Sequence, residues 1–86
     1  MGFEWDDDKN KANQAKHKIS FEEAQAIFSD PRAYEFDAKT EEPRTLIIGM
    51  ISGKLWAVVY TTRGENKRII SCRRARDSER EDYEKG

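Results

Sequence analysis

Eighty-six residues, with 16 Lys and Arg against 17 Asp and Glu and a net charge of -1, make one domain with a small core. The charged share is 38 %, yet regularly placed aromatics set the chain apart from disordered sequences. The longest nearly apolar run, 55–60, is too short to span a bilayer, no apolar leader opens the chain, and one cysteine excludes an internal disulfide, so a cytoplasmic, reducing setting is expected.

Phe3 and Trp5 flank Glu4 and share one side, as in an edge strand or an anchoring arm. Asp6, Asp7 and Asp8 offer a helix cap and a negative first turn, which predicts a helix over 7–17. Ala12, Ala15 and lysine stems are its only packing material, so it needs the body of the domain. Asn10, Asn13 and His17 are three and four apart and share a face, beside Lys16. Only Lys18 and Ile19 separate this helix from the next. Ser20-Phe21-Glu22-Glu23 fits a capping box, and Phe21, Ala24, Ile27 and Phe28 form an apolar stripe that Asp30-Pro31 ends.

Strands are predicted over 32–36, with Tyr34 and Phe36 on one side, over 44–50 and over 54–62. An acidic polar loop covers 37–43, and Ile51-Ser52-Gly53 is a turn. Arg63-Gly64-Glu65-Asn66 turns the chain into an antiparallel strand over 67–74. A last helix over 77–85 caps at Asp77 or Ser78, with Ser78-Glu79-Arg80-Glu81 as a second capping box. The fold class is α+β: two N-terminal helices, one sheet of three to four antiparallel strands and a C-terminal helix. Helices pack on one face and the other stays partly open.

From Arg63 to Arg76 there are six basic residues and one acid, Glu65. A local positive field steers anions even in a mildly acidic chain, and the arginine fork suits phosphate. A cationic edge also discourages sheet-to-sheet pairing, and charge alone does not separate the two readings. Arg73 and Arg74 point to opposite faces of a continuing strand, so one meets a ligand while the other can pair with Glu79 or Glu81. His17, the only histidine, suits proton transfer and helix-end packing alike. Tyr60 reads as core, Cys72 as a small buried hydrophobe, and Tyr83 either as sheet-to-helix packing or as a phosphate-orienting group. One histidine and one cysteine form no zinc pattern, and no glycine-rich phosphate loop or Ser-His-Asp signature is present, so no metal or cofactor is expected.

Several segments, in order, resemble the BrnT-type toxins. The first is Phe3-Glu4-Trp5-Asp6 with Lys9, Asn13 and Lys16-His17, then Ile19-Ser20-Phe21-Glu22-Glu23-Ala24. The middle is Phe28, Asp30-Pro31, Arg44 and Ile48-Gly49. The last is Val58-Val59-Tyr60-Thr61, Arg68-Ile69-Ile70-Ser71, Arg73-Arg74-Ala75, Glu79 and Tyr83-Glu84. The family pattern has glycine after Lys16-His17 where this chain has Lys18, which implies either modest strain or a different corner there. The resemblance implies a RelE-like fold and a metal-independent endoribonuclease that lowers translation as the toxin of a type II toxin–antitoxin system. In that chemistry a 2′-hydroxyl attacks the adjacent phosphate and the 5′-oxygen leaves. Arg73 and Arg74, with Arg63 and Arg68, can stabilise the phosphorane, and His17 and Glu79, then Lys16 and Tyr83, can move protons. His17, Arg73, Arg74 and Glu79 are therefore the expected catalytic group, and Lys16, Arg63, Arg68 and Tyr83 the expected RNA-binding group. The implied partner is a BrnA-like ribbon-helix-helix antitoxin, in a complex of two toxins and two antitoxins, which contacts DNA and covers Arg68, Arg73 and Arg74. The alternative is a nucleic-acid- or antitoxin-binding module without catalysis, since arginines bind phosphate whether or not it is cut.

Overall fold

The computed structural model describes residues 2–38 and 42–85. The predicted first helix forms as α1, Asp7–His17, with Asp6 as its N-cap accepting from the N–H groups of Asp8 and Lys9. It ends where Lys18 turns left-handed, at φ 62° and ψ 31°, and its N–H reaches the Gln14 carbonyl. A side chain in that region costs free energy that glycine avoids. Lys18→Gly is therefore expected to stabilise the fold by up to about 1 kcal/mol, read as a melting point a few degrees higher.

The capping box of α2 forms as expected: Ser20 Oγ accepts from the Glu23 N–H, and Glu23 Oε1 accepts from the Ser20 N–H. The helix itself is shorter than its stripe suggested. It spans Phe21–Ala24 and passes into a 3-10 segment, Gln25–Ser29. Phe21, Ala24 and Ile27 are fully buried and stand at strict three-residue steps, the period of a 3-10 helix. Phe28 lies off that line and packs its ring on Phe3 and Tyr60 instead.

Five strands form one mixed sheet, in the order β1-β5-β4-β3-β2. They are β1 (Phe3–Glu4), β2 (Tyr34–Ala38), β3 (Arg44–Ile51), β4 (Lys54–Arg63) and β5 (Asn66–Arg74). This corrects the expected sheet of three to four antiparallel strands, because β1 adds a fifth, parallel to β5. An Arg68–Glu4 ion pair at 3.0 Å and the Lys67 N–H bonded to the Gly2 carbonyl hold it there. β2 begins and ends two residues later than predicted, and of the loop expected over 37–43, residues 39–41 lie outside the described residues. The Ser52-Gly53 turn has positive φ at both positions, the backbone of a two-residue hairpin, so Ile51 belongs to the strand.

β1 is too short to cover β5, and α1 takes over. Asn13 Oδ1 accepts the Cys72 N–H at 3.1 Å, and Asn13 Nδ2 donates to the Ile19 carbonyl at 3.2 Å. Asn10 does similar work: its Oδ1 accepts the Phe21 N–H and its Nδ2 donates to Glu22. The two amides thus join α1 to β5 and α2, while His17 on the same helix stays out of these bonds.

The sheet also carries helices on both faces, where one was expected. The main core lies under α1 and α2 and holds Phe21, Ile27, Ile47, Trp56, Val58, Tyr60, Ile69 and Cys72. A second cluster of Ile48, Leu55, Ala57 and Tyr83 lies on the opposite face, under the C-terminal helix α3, Asp77–Lys85. The Tyr83 hydroxyl donates to Asp30 Oδ2, and the Tyr34 hydroxyl to the Glu79 carbonyl, which fix the helix across the sheet. Helix α3 starts at Asp77, so Glu79 holds the N3 position and accepts the Arg76 N–H, in place of the expected Ser78–Glu81 box. Because α3 has only nine residues, it covers one end of its face and leaves the rest uncovered. Among the described residues no helix is long and apolar enough to cross a membrane.

Candidate functional site

The basic run of β5 divides between the two faces of the sheet. Lys67 lies over the Tyr60 ring at 4.6 Å and near the Phe28 ring at 5.4 Å, on the side of α1 and α2. Arg74 is paired across from Trp56, stands 5.3 Å over its ring and donates from Nε to the Leu55 carbonyl. Arg68 and Arg73 belong to the other face. Five positions apart, they would alternate onto opposite faces of a regular strand. A register shift prevents this: Ile69 pairs with Tyr60 and Ser71 with Val59, so Ile70 is the extra residue of a bulge. Arg68, Ser71 and Arg73 therefore share the half-open face.

That face holds a basin of about 430 Å³ lined by Phe36, Asp37, Ala38, Arg44, Leu46, Val59, Arg73, Arg76 and Glu79. Its floor is Phe36, Leu46 and Val59, three positions of one row across the sheet that the pairing register continues to Ser71 on β5. The row is about 14 Å long at the usual strand spacing. Arg73 stands beside it, in a two-pronged ion pair with Glu79: Nη1 to Oε1 at 2.8 Å and Nη2 to Oε2 at 2.9 Å. Glu79 is 8 % exposed. The bonds from Arg73 outweigh burial and, with the Arg76 N–H, hold the Glu79 carboxyl below its ordinary range. The same pair raises the Arg73 guanidinium. Glu79 is thus an anion that fixes the plane of Arg73.

Arg44 closes the basin at the start of β3. Its Nη2 meets Glu42 at 3.2 Å, and its buried Nε has no hydrogen-bond partner among the described residues. Neither Arg44 nor Phe36 was a sequence candidate for the site. Their signal was parity: Tyr34 and Phe36 alternate with acids, and Arg44, Leu46 and Ile48 fall on one side of β3.

The expected site residues stand in separate places. Lys16 and His17 line a groove of about 230 Å³ between α1 and β5, with Lys9, Ala12, Asn13, Ile70 and Ser71. Ser71 borders both that groove and the row across the sheet. Arg63 is exposed at the end of β4, and Arg68 is bound to Glu4. Tyr83 is buried, with Arg32 5.3 Å from its ring centroid, and burial followed by its bond to Asp30 raises its hydroxyl pKa. Cys72 is fully buried, which pushes its thiol to about 12, in keeping with a packing role. Tyr60 is core as expected, its hydroxyl bonded to Glu35 at 2.7 Å.

Arg74 stands at the end of the sheet, over Trp56 and beside Leu55, Arg80 and Glu84 in a cleft apart from the basin. Arg74→Ala is expected to lower stability by about 1 kcal/mol through the lost ring contact and carbonyl bond. Denaturant titration of Arg74→Ala beside the parent checks this.

Comparison with curated proteins finds no matching relative. A family model described as "Ribonuclease toxin, BrnT, of type II toxin-antitoxin system" matches residues 5–79, which include the α1 groove, the Arg73–Glu79 pair and every described residue of the basin. On that match the chain belongs to the BrnT family of ribonuclease toxins of type II toxin–antitoxin systems.

Proposed function

We propose that this chain is a metal-independent endoribonuclease that lowers translation, and that its RNA lies across the half-open face of the sheet. The observation that carries this reading is the convergence of Arg44, Arg73 and Arg76 around a basin with an apolar floor. A reacting phosphodiester needs charge stabilisation as the 2′-oxygen bonds to phosphorus and the 5′-oxygen departs, leaving a 2′,3′-cyclic phosphate and a 5′-hydroxyl. Arg73, whose Nη1 is taken up by Glu79 and the Arg74 carbonyl and whose plane Glu79 sets, keeps its Nε and one Nη2 N–H for that role before substrate arrives. Arg76 and Arg44 flank it, Arg68 and Arg63 extend the positive face, and Arg74 supports β5 from behind. Of the acid–base candidates, Glu79 is occupied by Arg73 and Tyr83 is bound to Asp30 under α3, which leaves His17 with Lys16, in the separate groove between α1 and β5 that Ser71 also lines. Tyr83 acts by seating α3.

The test is incubation of the purified chain with RNA, alone and on ribosomes, under chelator. The reading expects cut RNA with cyclic phosphate ends. Loss of cleavage under chelator, or no cleavage in either setting, contradicts it and favours a module that binds without cutting.

The family implies a cognate antitoxin. In this reading it is a BrnA-like ribbon-helix-helix protein, two copies with two toxins, that carries the DNA contact and places carboxylates on Arg68 and Arg73. Since Glu79 fills the two-pronged side of Arg73, the antitoxin carboxylate meets its remaining Nε and Nη2 N–H groups. The reaction takes place in the cytoplasm. Weighing the complex tests the stoichiometry, and Arg73→Ala should weaken it.

A further inference from the structure

The basin has a part that phosphate chemistry leaves unused. Phe36 is 42 % exposed, one of two large apolar side chains left so open among the described residues. It lines the basin at the β2 edge, beside Leu46 and opposite the Arg73 side of the floor. Its ring stacks on Tyr34 at 6.1 Å between centroids and 23° between planes. The Tyr34 hydroxyl is in turn bonded to the Glu79 carbonyl, so the platform is fixed to the element that holds Arg73. Arg44, on the strand next to Phe36, lines the same basin and carries its charge there, with Nη2 on the exposed Glu42. An exposed flat ring, an apolar floor and a flanking guanidinium together suit a nucleotide: a base on the ring and an acceptor on the cation.

We propose that Phe36 is a stacking platform for one base of the RNA, flanking the cut site, with Arg44 donating to the phosphate of that nucleotide. This rests on the ribonuclease reading and deepens it by assigning a base subsite. Stacking accepts any base, so the subsite fixes register and affinity more than sequence.

The probe is a short fluorescent single-stranded RNA with methylated 2′-hydroxyls, which the enzyme can bind but not cut. Phe36→Ala should bind it about 5- to 100-fold more weakly, the range for losing one base–aromatic stack. Phe36→Trp should restore binding, and Phe36→Leu, which keeps apolar bulk without a flat ring, should not. Met50→Ala, the other exposed apolar position, should stay within about twofold of the parent. The salt dependence of binding should be unchanged by Phe36→Ala and shallower in Arg44→Ala. Wild-type affinity in Phe36→Ala, in a chain that still cuts RNA, overturns the base subsite and leaves the ribonuclease reading standing. Equal binding by the Leu and Trp variants overturns stacking. A loss confined to antitoxin binding assigns the ring to a protein contact and overturns the proposal. A wild-type chain that neither binds nor cuts RNA overturns both readings.

Discussion

Arg73→Lys is expected to lower RNA cleavage by about 10²- to 10³-fold, the usual cost of removing one preorganised donor from a developing oxyanion. Binding of uncut RNA should change only slightly, because the charge is kept. Lysine offers a point charge on a flexible stem and cannot keep the two-pronged bond to Glu79 that sets the guanidinium plane. Arg73→Gln removes the charge as well and leaves the Glu79 carboxylate buried without its cation, at a cost of about 2–4 kcal/mol. The pH dependence gives a second reading. In the parent, Glu79 titrates below its ordinary range, so its contribution is complete above about pH 4.3 and is lost as pH falls through the depressed folded value. With Arg73 gone, burial acts in the opposite direction and favours the neutral acid. The stability gap between parent and Arg73→Gln should therefore be widest at neutral pH and narrow below about pH 4.3. Melting curves between neutral and acid pH check this. A gap that widens on acidification would show that Glu79 is not the group that Arg73 holds.

The largest expected loss of stability away from the basin is at Asn13. The residue is 7 % exposed, and its amide satisfies the Cys72 N–H and the Ile19 carbonyl together. Asn13→Ala leaves both groups buried without partners, for about 2–4 kcal/mol, a large share of the margin of a small domain. Asn13→Asp keeps an acceptor for Cys72 but cannot donate to Ile19, and should lose nearly as much at neutral pH. Gln14→Ala, one residue on and exposed, should stay within about 0.5 kcal/mol. Denaturant titration of the three variants separates these outcomes. Equal midpoints for Asn13→Ala and Gln14→Ala would mean that α1 is not joined to β5 through this amide.

Local chemistry was legible in the sequence where a few adjacent residues decide the outcome. Asp6, Ser20 and the Asp30-Pro31 stop act over one turn, and the hairpins rest on Gly53 and Gly64 with their positive φ. Arrangement across the sheet was less legible. The pairing of β1 with β5 depends on a Phe3–Phe28 contact and a Glu4–Arg68 ion pair that bring distant segments together. The placement of α3 on its own face depends on Tyr83 meeting Asp30 and on Tyr34 meeting the Glu79 carbonyl. The site followed the same division. Opposite faces for Arg73 and Arg74 follow from strand alternation, while the choice of Glu79 over Glu81 as the partner is made by where α3 begins. The bulge at Ile70 has no sequence mark, yet it brings Arg68 onto the face of Arg73. Arg44 and Phe36 lay outside the basic run and entered the basin only through strand register.

The central claim is that RNA lies on the half-open face beside α3. Mapping backbone amide shifts on titration with the methylated RNA tests it most directly. The shifts should follow the row Phe36, Leu46, Val59 and Ser71 and the flanking Arg44, Arg73 and Arg76, and leave Phe21, Ile27 and Trp56 of the opposite layer unmoved. Shifts confined to the α1–α2 layer, or absent at saturating RNA, would contradict the account.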